Sequence, residues 1–309
     1  MPRLLGGVFC SLVLFFFVYA FATMRTIQST IETLTKQTAR QEITERAFIH
    51  MPLEAKNVVV YDATHNVVIY GRGAMAPRPL ASISKIMTTL VARNFLAETT
   101  PITITAKDRT EERDATLRNG DTWKTSDLMQ YSLVSSSNDG VTALCNAVNR
   151  MTQDSSPDKN CISFMNQYAT NHGLTSMLFQ NASGLDQKNG NPSNLGSALD
   201  VAKLLTNAYN TYPTIFEATR TPSVTFKATK YIYTATNTNE DVNKISNLLA
   251  GKTGYTDVAG GNLAILYAPN PNTHIVIVVL GSSHDGRFDD MLTLVSRTNI
   301  YLKALGYLQ

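Results

Sequence analysis

The sequence predicts an α+β fold, an α/β sandwich in which one antiparallel sheet is flanked by helices and a helical lobe is inserted. Three observations predict it. Strand-like segments lie at both ends of residues 56–309. Helical periodicity dominates about 97–210 between them. A long amphipathic stretch from Gly286 closes the chain. Strands grouped at the two ends, with helices grouped between, give segregated layers rather than alternating βαβ units.

The elements follow in chain order. Residues 4–24, "LLGGVFCSLVLFFFVYAFATM", carry no charge and follow Arg3. As a helix they would span roughly 31 Å, the depth of a bilayer core. The expectation for 1–24 is a membrane anchor or signal segment. The apolar run is long for a cleaved signal, which favours a single-pass anchor with the rest of the chain outside the cytoplasm. Cleavage near Ala22, at "AFA", would instead release a secreted protein. Residues 25–55 are rich in Thr, Gln, Glu and Arg and read as a polar stalk or linker without a core.

"NVVVYDATHNVVIYGRG" reads as two strands around a tight turn at residues 64–66. "PLASISKIMTTLVA" reads as a buried helix. "KTSDLMQYSLV" opens a helix with Thr125 or Ser126 as N-cap. "DGVTALCNAVNRM", "ISFMNQYATNHG" and "SALDVAKLLTNAY" continue the helical lobe. After Thr221, "SVTF", "KYIYTAT", "LLAGKTGY", "GGNLAILYA" and "HIVIVVLGS" each suit a strand. Gly260-Gly261 turns the chain between two of them. One sheet completed by N- and C-terminal strands is the expectation.

The chain has 309 residues, 43% hydrophobic and 17% charged, enough for a packed core. Its net charge is +3, and it contains no dense Lys/Arg run, so nucleic acid is excluded as a partner. Cys145 and Cys161 remain for the folded part. They either pair in an oxidising compartment or stay as small buried apolar groups. His50, His65, His172, His274 and His284 are scattered, with no metal-ligand spacing. There is no G-x-S-x-G elbow, P-loop or G-x-G-x-x-G, so neither metal nor cofactor is called for.

Lys85 is out of place in its apolar helix, one turn after Ser82. Residues three apart share a helix face, with Cβ atoms about 5–6 Å apart, so the amine reaches the hydroxyl. Burial disfavours an ammonium ion, and a neutral amine takes a serine proton. On this spacing alone the plainer reading wins, a lysine snorkelling to water. A second copy, Ser156 to Lys159, falls in a loop-like "SSPDK".

Two further segments change the balance: "SLVSSSNDGVTAL", with Ser136 and Asn138, and "GKTGYTDVAGGNL", with Lys252, Thr253 and Gly254. In this order, Ser82-x-x-Lys85, Ser136-x-Asn138 and Lys252-Thr253-Gly254 resemble the three-motif signature of the penicillin-recognising serine enzymes. The flanks "ASISKIMT", "NASGLD" and "KTGYTDVAGGNL" look like the low-molecular-mass D-alanyl-D-alanine carboxypeptidases. The similarity covers roughly residues 57–281.

The resemblance implies a β-lactamase/DD-peptidase-like fold, with residues 56–309 as a penicillin-binding, transpeptidase-like domain, and a bacterial envelope location. It implies Ser82 as acylated nucleophile, Lys85 as general base and Ser136 as proton relay. Asn138 would bind the substrate backbone and help position Lys85. Lys252 with Thr253 would hold the peptide's terminal carboxylate. Gly254 would let an extended peptide lie along its strand, and the backbone N–H groups of Ser82 and Tyr255 would form the oxyanion hole. The implied partners are a peptidoglycan stem peptide ending in D-Ala-D-Ala, β-lactams as covalent inhibitors, and the membrane through the N-terminal segment. The expected reaction is removal of the terminal D-alanine, and cleavage of D-Ala cross-links is the alternative. No Glu occurs from Asp114 to Phe216, where a class A β-lactamase keeps its deacylating carboxylate. A catalytically silent peptidoglycan-binding module is the reading from another class; the intact motifs oppose it. Many relatives carry a C-terminal β-domain ending in a membrane-binding helix, whereas here the printed chain stops at Gln309.

Overall fold

The computed structural model describes residues 4–109, 116–152 and 160–308, with backbone only for 4–18 and 20. The chain divides into two units, Met1–Ile49 and His50–Gln309. In the first, α1 runs Leu4–Phe48, so the stalk sequence is helical to that point. Its side chains from 21 to 42 are all exposed. Among the described residues no helix is long and apolar enough to cross a membrane, and most side chains of the expected anchor lie outside them.

In the second unit, β1 (Asn57–Asp62) and β2 (Val67–Arg72) form a hairpin. The short β3 (Arg78–Pro79) leads into a 3-10 turn at Ala81–Ser84, which runs straight into α2 (Lys85–Phe95). The lobe holds β4 (Pro101–Thr103), β5 (Thr122–Lys124), α3 (Thr125–Val134), α4 (Asn138–Thr152) and α5 (Cys161–Asn171). The chain continues through β6 (Leu195–Gly196), α6 (Ala198–Thr211) and the hairpin of β7 (Ser223–Lys227) and β8 (Ile232–Thr236). Three long strands follow, β9 (Leu248–Thr256), β10 (Gly260–Asn270) and β11 (Thr273–Ser282), and then α7 (Gly286–Ala304).

The main sheet is antiparallel throughout, in the order β2-β1-β11-β10-β9. The first hairpin thus completes a sheet made by the last three strands, with Val60 opposite Ile277. α6 packs on β1, β10 and β11, and α7 packs on β10 and β11. Val276, Val278 and Leu280 join the large core shared with α2 and α6. Ile275, Ile277 and Val279 are equally buried but lie outside that cluster, on the α7 side. A strand covered on both faces has no solvent side, which is why "HIVIVVLG" is unbroken rather than alternating. One edge of this sheet is β9, which carries Lys252, Thr253 and Gly254.

The structure departs from the sequence expectations in two places. β7 and β8 pair only with each other and not with the main sheet. An aromatic cluster holds them to the lobe instead: Trp123 lies 5.0 Å from Tyr131 and 4.7 Å from Tyr233, and Tyr131 meets Phe226 edge-on at 5.8 Å. Neither Thr125 nor Ser126 caps α3; Lys124 takes the cap position, and the Thr125 hydroxyl donates to Thr100 O at 2.8 Å. Of the two states left open for Cys145 and Cys161, the structure has the disulfide, joining α4 to α5.

Candidate active site

Ser82 sits in the 3-10 turn ahead of α2. Ala81 before it holds φ +47°, a left-handed value that costs an L-residue roughly 1–2 kcal/mol. Such strain persists only where surroundings fix it. Asn262 of β10 supplies that fixing: its Nδ2 donates to Pro79 O (3.0 Å) and Leu80 O (3.1 Å), and its Oδ1 accepts from Gly281 N (2.8 Å). Leu80 N donates to Asn194 O at 3.0 Å.

Lys85 is fully buried. Its Nζ lies 2.7 Å from Ser82 Oγ, 2.7 Å from Asn138 Oδ1 and 2.9 Å from Ser183 O. The last two are pure acceptors. A neutral amine has two N–H bonds and one lone pair. It gives a hydrogen to each acceptor and faces its lone pair to Ser82, the one of the three with a proton to lose. The geometry therefore suits an amine that acts as a base.

Ser136 ends the turn before α4 with φ +62°. Lys252, 1% exposed, donates to Ser136 Oγ (2.9 Å) and to Thr253 O (2.8 Å). Burial first, and then repulsion from Lys85 whenever that amine is protonated and from Arg287, push its ammonium well below the usual lysine value. Thr253 Oγ1 donates to Thr238 Oγ1 at 2.6 Å. Gly254 has a reason other than the expected one. A Cβ there would stand 2.9 Å from Leu80 O and 3.2 Å from Ser82 N, so glycine lets β9 press against the turn that carries Ser82. Tyr255, the next residue of β9, lines the same cleft as Ser82.

The cleft has a volume of about 220 Å³ and is lined by Ser82, Ser136, Asn138, Thr253, Gly254 and Tyr255, with Thr238 and Arg287. Two larger depressions, of about 530 and 700 Å³, lie against α7 and beside β5 and β7, and hold none of these residues. Chemistry rather than size picks the site.

Sequence reasoning missed Arg287, Thr238, Ser183 and Asn262. Arg287 is buried, and its Nη1 donates to Gly254 O at 3.1 Å. Burial lowers its pKa, while Glu240, Asp285 and Tyr255 oppose the shift. Its only sequence signal is its place opening the last helix, which says nothing of a cleft. Ser183 and Asn262 lie within the flanks "NASGLD" and "AGGNL", but a backbone carbonyl and a second-layer amide leave no spacing to read. Glu217 is exposed and off the cleft. The second Ser-x-x-Lys, Ser156 to Lys159, lies outside the described residues. Among the described residues no group of His, Cys, Asp and Glu could hold a metal ion.

Residues 41–284 match the D-alanyl-D-alanine carboxypeptidase family, peptidase family S11. The chain belongs to this family. It is therefore a serine peptidase, a hydrolase, with the fold of the penicillin-binding DD-peptidases. Among curated proteins it is similar to a D-alanyl-D-alanine endopeptidase of Escherichia coli strain K12, 29% identical over 230 residues, 72% of this chain and 70% of that protein. A D-alanyl-D-alanine endopeptidase of Pseudomonas aeruginosa is 28% identical, over 69% of this chain and 66% of that one. Among solved structures, ampicillin-bound penicillin-binding protein D2 of Listeria monocytogenes has a TM-score of 0.69 at 26% identity, covering 80% of this chain and 98% of that one. A D-alanyl-D-alanine carboxypeptidase of Mycobacterium tuberculosis shares the fold at a TM-score of 0.70 and 23% identity, over 80% and 92%.

Proposed function

We propose that this chain removes the terminal D-alanine from peptidoglycan stem pentapeptides through an acyl-enzyme on Ser82. The observation that carries the reading is Lys85 Nζ, 2.7 Å from Ser82 Oγ and otherwise facing acceptors.

In acylation the Lys85 lone pair takes the Ser82 proton as Oγ bonds to the penultimate D-Ala carbonyl carbon. The carbonyl electrons move to oxygen, where the N–H groups of Ser82 and Tyr255 receive them. Collapse of this intermediate breaks the C–N bond, and the leaving amine takes a proton delivered through Ser136. Lys252 and Thr253 receive the terminal carboxylate, and Arg287 adds a second cation to the cleft. In deacylation water gives its proton to Lys85 and its oxygen to the ester carbon; Ser82 Oγ leaves and regains a proton.

A second reading is cleavage of D-Ala cross-links, favoured by the name endopeptidase carried by curated relatives from E. coli, P. aeruginosa and Haemophilus influenzae. The chemistry is the same, and only the leaving group is larger. Purified protein incubated with a D-Ala-D-Ala pentapeptide and with a cross-linked dimer separates the two. Free D-alanine from the pentapeptide, with the dimer intact, supports the carboxypeptidase; the reverse supports the endopeptidase. No product from either, and no penicillin adduct on Ser82, leaves a silent binding module. The proposal also places the catalytic unit outside the cytoplasm of a bacterial cell, held at the membrane by residues 1–24.

A further inference from the structure

We infer that Asn181 is a positioning residue for the general base: it folds the 180–185 loop so that the Ser183 carbonyl points at Lys85. The inference rests on the Ser82–Lys85 chemistry just proposed and adds a residue to it.

Asn181 Oδ1 accepts from Ser183 N (3.2 Å) and Gly184 N (2.7 Å), and its Nδ2 donates to Leu185 O (2.8 Å). One amide thus ties three consecutive residues into a tight turn. Within that turn the carbonyl of Ser183 is directed at Lys85 Nζ. Gly184 takes φ +84°, and a Cβ on it would lie 1.9 Å from Ala81 O, so the loop passes directly beneath the nucleophile turn.

The loop is registered against that turn from two sides. Asn194, fully buried, accepts from Gln180 N (2.8 Å) and Asn181 N (3.2 Å) through Oδ1 and donates to Asn181 O (3.0 Å) through Nδ2. Its own carbonyl accepts from Leu80 N. On the α2 side, Thr88 Oγ1 donates to Ala182 O at 2.6 Å. With the ends pinned to the scaffold, Asn181 decides where the Ser183 carbonyl points in the middle.

That direction matters because Lys85 must spend its N–H bonds elsewhere to keep its lone pair on Ser82. Asn138 Oδ1 takes one and Ser183 O the other. If the loop relaxes, an N–H is freed to turn toward Ser82 Oγ, and the lone pair turns away. Misplacement on the order of 1 Å costs about 10²-fold in rate.

The test uses the full chain and a fluorescent penicillin, measuring the second-order rate of labelling at Ser82 against pH. Circular dichroism and melting temperature define the folded fraction. N181A is expected to label about 10²-fold more slowly per folded molecule. N181S keeps an uncharged acceptor for the turn, a weaker mimic of the amide, and should recover part of the loss. A carbonyl acceptor stabilises a charged amine more than a neutral one, so in N181A the rise of rate with pH should begin lower than in wild type. A purely structural role predicts a lower melting temperature with an unchanged rate and pH profile for the folded fraction, and that result overturns the inference. If N181A does not fold, N181S against wild type decides by the same two readouts. Wild type that labels, with variants that match it, sinks the inference alone; wild type that fails to label sinks the Ser82 chemistry with it.

Discussion

Lys85 and Lys252 are two buried amines in one site, and burial acts on both while their partners differ. Lys252 has a hydroxyl and a carbonyl to donate to, and no carboxylate is among its bonded partners. Its pKa is lowered in the folded state by burial and by neighbouring positive charge. The sign of the stability effect follows. In the unfolded chain the lysine titrates near about 10.4. Between that value and the lower folded one, the unfolded chain holds more protons, so stability rises with pH across this window and the penalty is full below the folded value. Urea titrations at several pH values from neutral to 10 should show wild-type stability rising relative to K252M. Parallel pH dependences for the two proteins would contradict a strained Lys252. At this scale the sequence was legible wherever chemistry sits in side chains at fixed spacing: six of the eight residues of the three motifs and their flank line one cleft, and the buried Lys85 and Lys252 reach its Ser82 and Ser136. It was silent where the partner is a backbone atom, as with Ser183 O, or where the residue arrives from a distant element, as with Arg287.

The hairpin of β7 and β8 is pinned to β5 by one carboxylate. Asp121, fully buried, accepts from Thr122 N, Thr229 Oγ1, Lys230 N and Tyr233 OH at 2.8–3.0 Å. Burial alone would raise its pKa, but the four donors outweigh it and the net shift is down. Its partner moves the other way: Tyr233 is pushed up to about 12 by burial and by this bond. D121A leaves at least two donors unpaired, at a cost of about 3 kcal/mol. The stability that the carboxylate adds is present above its unfolded pKa of about 3.9 and is lost as pH falls through the lower folded value. The gap between wild type and D121A in urea unfolding should therefore be wide at pH 7 and narrow below pH 3.9; a constant gap would show that the charge is not what holds the hairpin. The same lobe has the disulfide, closing a separation of 16 residues between α4 and α5. The chain-entropy relation gives about 3 kcal/mol for a loop of this length. Replacing Cys145 and Cys161 by Ala together should cost close to that in urea, and no loss would place the two sulfurs among ordinary buried apolar groups. The element pattern of the main sheet was readable because β1, β9, β10 and β11 are buried enough to fix their composition. The allegiance of β7 and β8 was not, because Val, Phe and Tyr suit either sheet. Only the three-dimensional meeting with Trp123 and Tyr131 assigns them.

Seen as a whole, the molecule closes a cleft between the edge strand of its sheet and the helical lobe, and no carboxylate lines it among the described residues. In the proposed mechanism acylation and deacylation then share one base, Lys85. For a peptide this is sufficient, because the amine formed in the first step diffuses away and water takes its place. A β-lactam is different: its ring nitrogen stays attached to the acyl group after the C–N bond opens, and it occupies the position from which water would attack. A class A β-lactamase overcomes this with a Glu that activates water from another side. Here Glu217, the first Glu after Asp114 in the chain, is exposed and is not among the lining residues. The expected outcome is an adduct that forms and persists. Intact-mass spectrometry after a brief penicillin exposure should show one added penicillin on Ser82, retained long after free drug is removed, while the D-Ala-D-Ala peptide turns over repeatedly. Placing a Glu where it can reach the ester, for instance L185E in the cleft wall, should shorten the adduct lifetime without abolishing its formation. Rapid turnover of a chromogenic cephalosporin by the unmodified chain would mean that water reaches the ester by a path not lined by any of these residues, and the one-base account would fall.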